Sequence, residues 1–267
     1  MRILGLFACL VALSACGKHH DAPAKNGSVE TLKIMTYNIR HGAPVNQSND
    51  DVHLEGIAAA INQQKPDLVA LQEVDSMTRR APVNEAEELG KATGMYYYFS
   101  KTIDYQGGKY GDAILSRFPI LATEHRMLAL PDPSGEQRAI AVITVEPYQG
   151  VKLNFASTHL DLVAENRTAE VGELIDMSKQ SAYPLILCGD LNATPDSKEM
   201  QTLQTEFVFP CVVNCPLTFP SDGPKSTIDY IISNPAASKL FHVLSYNAIQ
   251  NIQASDHLPL MGYFSKQ

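Results

Sequence analysis

Six short polar islands punctuate the chain, each beside an apolar, strand-like run: Tyr37-Asn38, Gln72-Glu73, Thr158-His159, Gly189-Asp190-Leu191-Asn192, Ile228-Asp229 and Ser255-Asp256-His257. Strands that deliver Asn, Glu, His and Asp at their termini can converge on one cleft, because loop-borne polar groups gather where strands end. Leu32, Ile34, Tyr37 and Ile39 alternate as a strand, and Asp67 to Leu71 reads as a buried one. Further strands are expected at Tyr96–Phe99, Ala113–Leu115, Ala139–Val145, Lys152–Ser157, Pro184–Cys188, Thr227–Ser233 and Leu258–Phe264. Helical stretches fall between them: an alanine-rich one at Ile57–Ile61, one at Glu85–Ala92 closed by Gly94, and the longest at Glu165–Gln180. Strands interleaved with helices predict an α/β architecture, sheets inside and helices outside.

The N-terminus reads as a targeting segment. Arg2 opens it, Ile3 to Leu13 is apolar, and Leu13-Ser14-Ala15-Cys16 follows. The apolar run is too short to span a bilayer as a mature helix. Leu-Ser-Ala-Cys resembles a bacterial lipobox, which implies a signal peptide at 1–15 and lipidation of Cys16; an ordinary secretory signal is the alternative. Residues 16–30 are polar and read as a tether, so 31–267 is expected to form one domain. Gly17 is not acidic, which favours the outer over the inner membrane as the site of a cell-envelope anchor. Cys188 lies in an apolar run and reads as an inert core residue. Cys211 and Cys215 are either a disulfide or two free thiols.

The net charge is −8, and the nearest thing to a basic cluster is Arg79-Arg80. Duplex DNA is gripped through phosphate neutralisation, so no dedicated duplex-DNA surface is expected. A small phosphoester remains a suitable partner. Hard oxygen ligands among the islands can hold Mg²⁺ or Mn²⁺, a carboxylate can aim or deprotonate water, and His and Asn can meet growing phosphoryl charge.

In order, Thr36-Tyr37-Asn38-Ile39, Leu71-Gln72-Glu73-Val74, Tyr110 to Arg117, Thr158-His159-Leu160, Gly189-Asp190-Leu191-Asn192, Ile228-Asp229-Tyr230 and Ser255-Asp256-His257 resemble the motifs of the endonuclease/exonuclease/phosphatase superfamily. The resemblance implies a DNase I-like four-layer αββα sandwich. It implies metal ligation by Glu73 with Asn38 and Asp256 nearby, and a water aligned or deprotonated by Asp190 with Asn192 in support. It further implies phosphate donors at His257, held by Asp229, and at His159, with Tyr110 steering or protonating the substrate. Arg138 and Arg167 resemble positions in exported members that could contact phosphate. The expectation is a monomeric, metal-dependent phosphoesterase acting on a small, lipid, sugar or inositol phosphate. An extracellular nuclease is the alternative, and a phospho-ligand-binding pseudoenzyme the non-catalytic one.

Overall fold

The computed structural model describes residues 31–267; the signal peptide, Cys16 and the tether expected at 1–30 lie outside the described residues. Two sheets form the centre. One has the order β10-β11-β1-β2-β4-β3, built from β1 (Thr31–Asn38), β2 (Leu68–Ser76), β3 (Tyr96–Tyr105), β4 (Gly108–Ser116), β10 (Phe241–Ala248) and β11 (Leu260–Lys266). The other runs β5-β6-β7-β8-β9, from β5 (Ala122–Met127), β6 (Ala139–Tyr148), β7 (Val151–His159), β8 (Leu185–Asp190) and β9 (Asp229–Ser233). Helices α1 (Leu54–Gln64) and α2 (Glu85–Thr93) belong to the first sheet's side, and α3 (Ala164–Gln180) and α4 (Lys198–Leu203) to the second's; a short α5 (Pro235–Leu240) precedes β10.

Three apolar seams fix the layering. In β1, Leu32 and Ile34 point to the seam between the sheets, where they meet Ile143, Phe155, Ile186 and Ile231. The alternate residues Met35 and Tyr37 pack with Ile57, Ile61 and Leu89 of the helices. The second sheet does the same: Ile140, Leu185 and Leu187 face Val171, Leu174 and Leu203. Strands buried on both faces read as continuous apolar runs, and these interdigitate as the αββα sandwich the resemblance implies. Each fully buried aliphatic or aromatic side chain is worth about 1.5–3 kcal/mol of transfer free energy, so the seams hold the rim rigid.

Helix ends follow local chemistry. The side chain of Asn84 accepts from Glu87 N to cap α2, and Gly94, at φ 65°, closes it in the left-handed conformation. Four elements were not legible beforehand: β5, α4, α5 and β10. The expected strand at 227–233 begins at Asp229, and that at 258–264 begins at Leu260. Cys211 and Cys215 are disulfide-bonded, and Cys188 is a buried free thiol, as expected of it.

Candidate active site

Register brings the islands together. Parallel pairing of β1 with β2 sets Asn38 beside Gln72, and parallel pairing of β7 with β8 sets His159 beside Asp190. Antiparallel pairing of β8 with β9 then sets Asp190 beside Asp229. Gly189 is required for this approach, since a Cβ there would collide with the Thr158 carbonyl oxygen. The last island lies in the loop before β11, where the Ser255 hydroxyl donates to the Asn38 carbonyl at 2.8 Å. One rim therefore collects Asn38 and Glu73 from one sheet, His159, Asp190 and Asp229 from the other, and His257 from a loop.

Asn38 joins the sheets. Its amide nitrogen donates to Glu73 Oε1 at 2.9 Å and to Asp190 Oδ2 at 3.1 Å, while its Oδ1 accepts from Arg40 N at 3.1 Å. In this arrangement Asn38 offers donors to two carboxylates and its own oxygen is engaged. Glu73 does not terminate β2. It sits inside the strand at a positive φ of 58°, where a register shift against β4 between Leu71 and Val74 turns its carboxylate to the rim. A non-glycine residue held there is strained, and such strain clusters at functional sites.

His257 is the hub. Its Nδ1 is 3.0 Å from Asp229 Oδ2, and its Nε2 is 3.6 Å from Asp190 Oδ2. Burial opposes charge on this ring, but Asp229 and Asp190 outweigh it and lift its pKa to about 10. Phe219 packs on the ring at 4.8 Å between centroids. Two carboxylates thus flank one imidazolium, leaving one uncompensated negative charge. Burial first, then Asp229, push the Asp190 pKa up to about 7 against the pull of His257. A carboxylate poised near neutrality suits proton transfer.

His159 is neutral, because burial, Arg138 and His257 hold its pKa well below the usual range. Its Nε2 lies 3.0 Å from Asn192 Nδ2 and 3.5 Å from Asp190 Oδ2. Asn192 also donates its backbone N–H to Asp190 Oδ1 at 2.9 Å and its amide to the Leu160 carbonyl at 2.8 Å. Asn192 Nδ2 at Nε2 and Arg138 Nη1, 3.3 Å from Nδ1, are both donors, and a neutral imidazole has one acceptor nitrogen, so either tautomer satisfies only one of the two contacts. The ring is thus wedged between the Asn192 amide and the Arg138 guanidinium, with Asp190 Oδ2 beside its Nε2. Arg138 is buried beside Glu136, with Nη1 2.7 Å from Glu136 Oε1 and Nε unpartnered. Arg167, by contrast, is spent on the Asp161 and Leu162 carbonyls and Glu199.

Tyr110 is within electrostatic reach of Glu73 and Arg138; burial, then Glu73, raise its pKa. Sequence reasoning did not assign Asp112, two residues on. Its carboxyl is buried with Oδ1 unpartnered, and burial raises its pKa well above the usual carboxylate range. Its position in the Tyr110-Gly111-Asp112 motif was the available signal.

Two carboxylates reach solvent and two do not. Glu73 and Asp256 keep 24 % and 31 % of their side-chain surface exposed, against 1 % for Asp190 and 0 % for Asp229. Asp190, Asp229 and His257 offer atoms within 4.8 Å of one another and could hold a cation. The imidazolium already supplies positive charge there. Burial raises the Glu73 pKa against the Asn38 amide and the pull of His257 and Arg138. The hard oxygens of Glu73 and their access to solvent fit a divalent ion better. A cavity of about 490 Å³ between Pro210–Pro216 and Tyr246–Gln250 contains none of these groups.

Among curated proteins, the chain is similar to YbhP of Escherichia coli K12, 24 % identical over 246 residues, 86 % of this chain and 94 % of the relative. Among solved structures, an endonuclease/exonuclease/phosphatase family protein from Bacteroides thetaiotaomicron superposes with a TM-score of 0.71 at 19 % identity, covering 88 % of this chain and 97 % of the other. The mannosyl-6-phosphatase Bt3783 of the same organism gives 0.70 at 18 % identity, with coverage of 87 % and 99 %. The human Nocturnin catalytic domain with bound sulfate gives 0.67 at 19 % identity, with coverage of 89 % and 95 %. The family model for endonucleases, exonucleases and phosphatases matches residues 35–257, from within the first strand to the histidine of the last island. That span takes in every group at the rim, and the chain belongs to the endonuclease/exonuclease/phosphatase family.

Proposed function

We propose that the chain is a divalent-metal-dependent phosphoesterase that hydrolyses its substrate by direct attack of water. The observation that carries this is the Asp190–His257–Asp229 array, with Asn38 linking Asp190 to the solvent-facing Glu73. Asp190 orients the attacking water and takes its proton, a role that a buried carboxyl with a pKa of about 7 can fill near neutral pH. His257, kept cationic by Asp229, donates from Nε2 to the phosphoryl oxygens as their charge grows. Asn192 holds Asp190 through its backbone N–H. The under-satisfied Arg138 adds positive charge on the His159 side of the cleft, and Tyr110 borders the same space. Glu73 and Asp256 would hold Mg²⁺ or Mn²⁺, with Asn38 fixing Glu73; the ion supplies Lewis-acid stabilisation of phosphoryl charge.

The substrate we favour is a small, lipid, sugar or inositol phosphate rather than duplex DNA. A net charge of −8 supports this, because phosphate neutralisation dominates DNA affinity. The fold shared with a mannosyl-6-phosphatase makes a sugar phosphate the first monoester to try. Cys16 and the polar residues after it support a lipid anchor at the bacterial cell envelope.

The test is hydrolysis of bis-p-nitrophenyl phosphate, p-nitrophenyl phosphate and mannose 6-phosphate with Mg²⁺ or Mn²⁺, and with EDTA, beside Asp190→Asn. Metal-dependent turnover that falls about 10²–10⁴-fold in the variant is expected. Turnover unaffected by EDTA, or equal in the variant, overturns the reading. Plasmid DNA cleaved faster than any small ester reverses the substrate ranking.

A further inference from the structure

His41 was not singled out by any motif, yet the fold spends strain to place it. Arg40 and His41 both adopt positive φ, 47° and 44°, in the turn that follows β1. The imidazole is buried, with 3 % of the residue exposed. Its Nε2 lies 3.0 Å from the Asn49 carbonyl oxygen. A carbonyl only accepts, so Nε2 carries the proton and donates, and Nδ1 is left with a bare lone pair. A ring flip would put carbon against that carbonyl, so the contact also selects the orientation. Nδ1 has no hydrogen-bond partner and faces Glu73 Oε2 at 4.0 Å. A proton on Nδ1 would not close that gap either, since 4.0 Å is too long for a hydrogen bond.

Two lone-pair-bearing atoms facing each other across 4.0 Å repel unless something electrophilic lies between them. A divalent ion about 2.0–2.2 Å from nitrogen and from carboxylate oxygen fits that separation. The rest of the imidazole is arranged as ligating histidines are: the other ring nitrogen donates to a backbone carbonyl, which fixes tautomer and orientation.

Resting on the metal-dependent reading above, we infer that His41 Nδ1 and Glu73 Oε2 form a mixed nitrogen–oxygen chelate, which selects a first-row transition ion over Mg²⁺. Mg²⁺ prefers an all-oxygen, water-rich shell, whereas imidazole suits transition ions. The rival occupant is a water donating to both atoms. It would give no ion selectivity.

Binding of Mn²⁺ and of Mg²⁺ to the full chain, read by calorimetry and by electron spin-echo spectroscopy of bound Mn²⁺, tests this. The intact protein should bind Mn²⁺ at least about tenfold more tightly than Mg²⁺, with imidazole nitrogen modulation on the Mn²⁺ echo. His41→Asn suits the left-handed backbone, and should abolish the modulation and weaken Mn²⁺ about 10–100-fold while Mg²⁺ changes by a few-fold at most. Mn²⁺ bound without nitrogen modulation in the intact protein overturns the chelate whether or not the variant folds, and so does modulation that survives in a folded His41→Asn. Either result leaves the phosphoesterase reading standing provided Glu73→Gln still releases the ion. Failure of the intact protein to bind any divalent ion overturns both.

Discussion

Two buried polar clusters sit a few residues apart along β2 and are finished differently. Around Asp75, almost every polar atom has a partner within the protein: Arg80 Nε and Nη2 reach its two oxygens at 2.6 and 3.0 Å, and Thr78 Oγ1 donates to it at 2.7 Å. Arg80 also stacks over Tyr105, 4.7 Å from the ring centroid. At the rim, equally buried groups are left short: Asp229 Oδ1, Asp112 Oδ1, Arg138 Nε and His41 Nδ1 all lack a hydrogen-bond partner. Folding penalises an unpaired buried polar atom by about 1–3 kcal/mol. A cluster that satisfies itself holds the chain together, and one that tolerates several such atoms is completed by something from outside.

The sharpest way to break that distinction is to remove one carboxylate charge from each cluster. Asp190→Asn should cut phosphoester hydrolysis about 10²–10⁴-fold and leave the thermal midpoint unchanged or higher, since it removes a desolvated charge. Asp75→Ala should do the reverse. Leaving Arg80 unpaired in the interior costs about 3–5 kcal/mol, with turnover per folded molecule retained. Paired measurements of kcat and thermal unfolding on both variants decide it. If Asp75→Ala abolishes turnover in a folded protein, or Asp190→Asn unfolds the chain, partner counting does not separate function from structure here.

The same distinction explains what the sequence disclosed. β1, β2 and β8 were legible because both their faces are buried, so apolar residues run along them. β5 was not: Ala122–Met127 is an edge strand, exposed along most of its length, and carries no apolar alternation. β10 hides behind a register shift between Val243 and Ser245, which breaks its period, and α4 and α5 are only six residues each. The cleft's residue types were legible from the islands, but their orientation was not. Nothing in Gln72-Glu73 announces a left-handed glutamate inside a strand. Nor does Asn38 announce that its nitrogen, rather than its oxygen, would face the carboxylates. Those outcomes depend on the Leu71/Val74 register shift and on Arg40 N, which only tertiary structure supplies.

Within the rim, the comparison sharpens at His257. Its pKa of about 10 lies above the ordinary 6.5 chiefly because Asp229 and Asp190 outweigh burial. A raised histidine pKa contributes stability that is fully present below about pH 6.5 and is lost as pH climbs through about 10. Asp229→Asn should bring the imidazole titration, followed by NMR, back toward its ordinary value. The variant should then retain more of its rate at pH 6 than at pH 8, because the imidazolium survives only at the lower pH. Losing one phosphoryl donor is worth about 10²–10³ in rate where the ring is neutral. An unchanged imidazole titration would mean that Asp229 orients the ring without charging it.

The smallest effect tests the exception in the satisfied cluster. Glu85 opens α2 and its Oε2 accepts from Asp75 N at 2.7 Å, but its Oε1 is buried without a partner. Burial, and to a lesser extent Asp75, lift its pKa to about 8 against the pull of the Asp75 N–H and Arg80. An acid whose folded pKa is raised imposes no penalty below its unfolded value of 4.5, and an increasing one as pH rises through about 8. Glu85→Gln keeps an acceptor for Asp75 N and removes the charge. It should match the parent's stability below about pH 4.5 and exceed it above pH 8 by on the order of 1–3 kcal/mol, read from denaturant melts at both pH values. Equal stability at high pH would mean that the ionised carboxylate is compensated where it sits. Glu85 would then belong with Asp75 as a fully paired group, and the line between the two clusters would be cleaner than its bare Oε1 suggests.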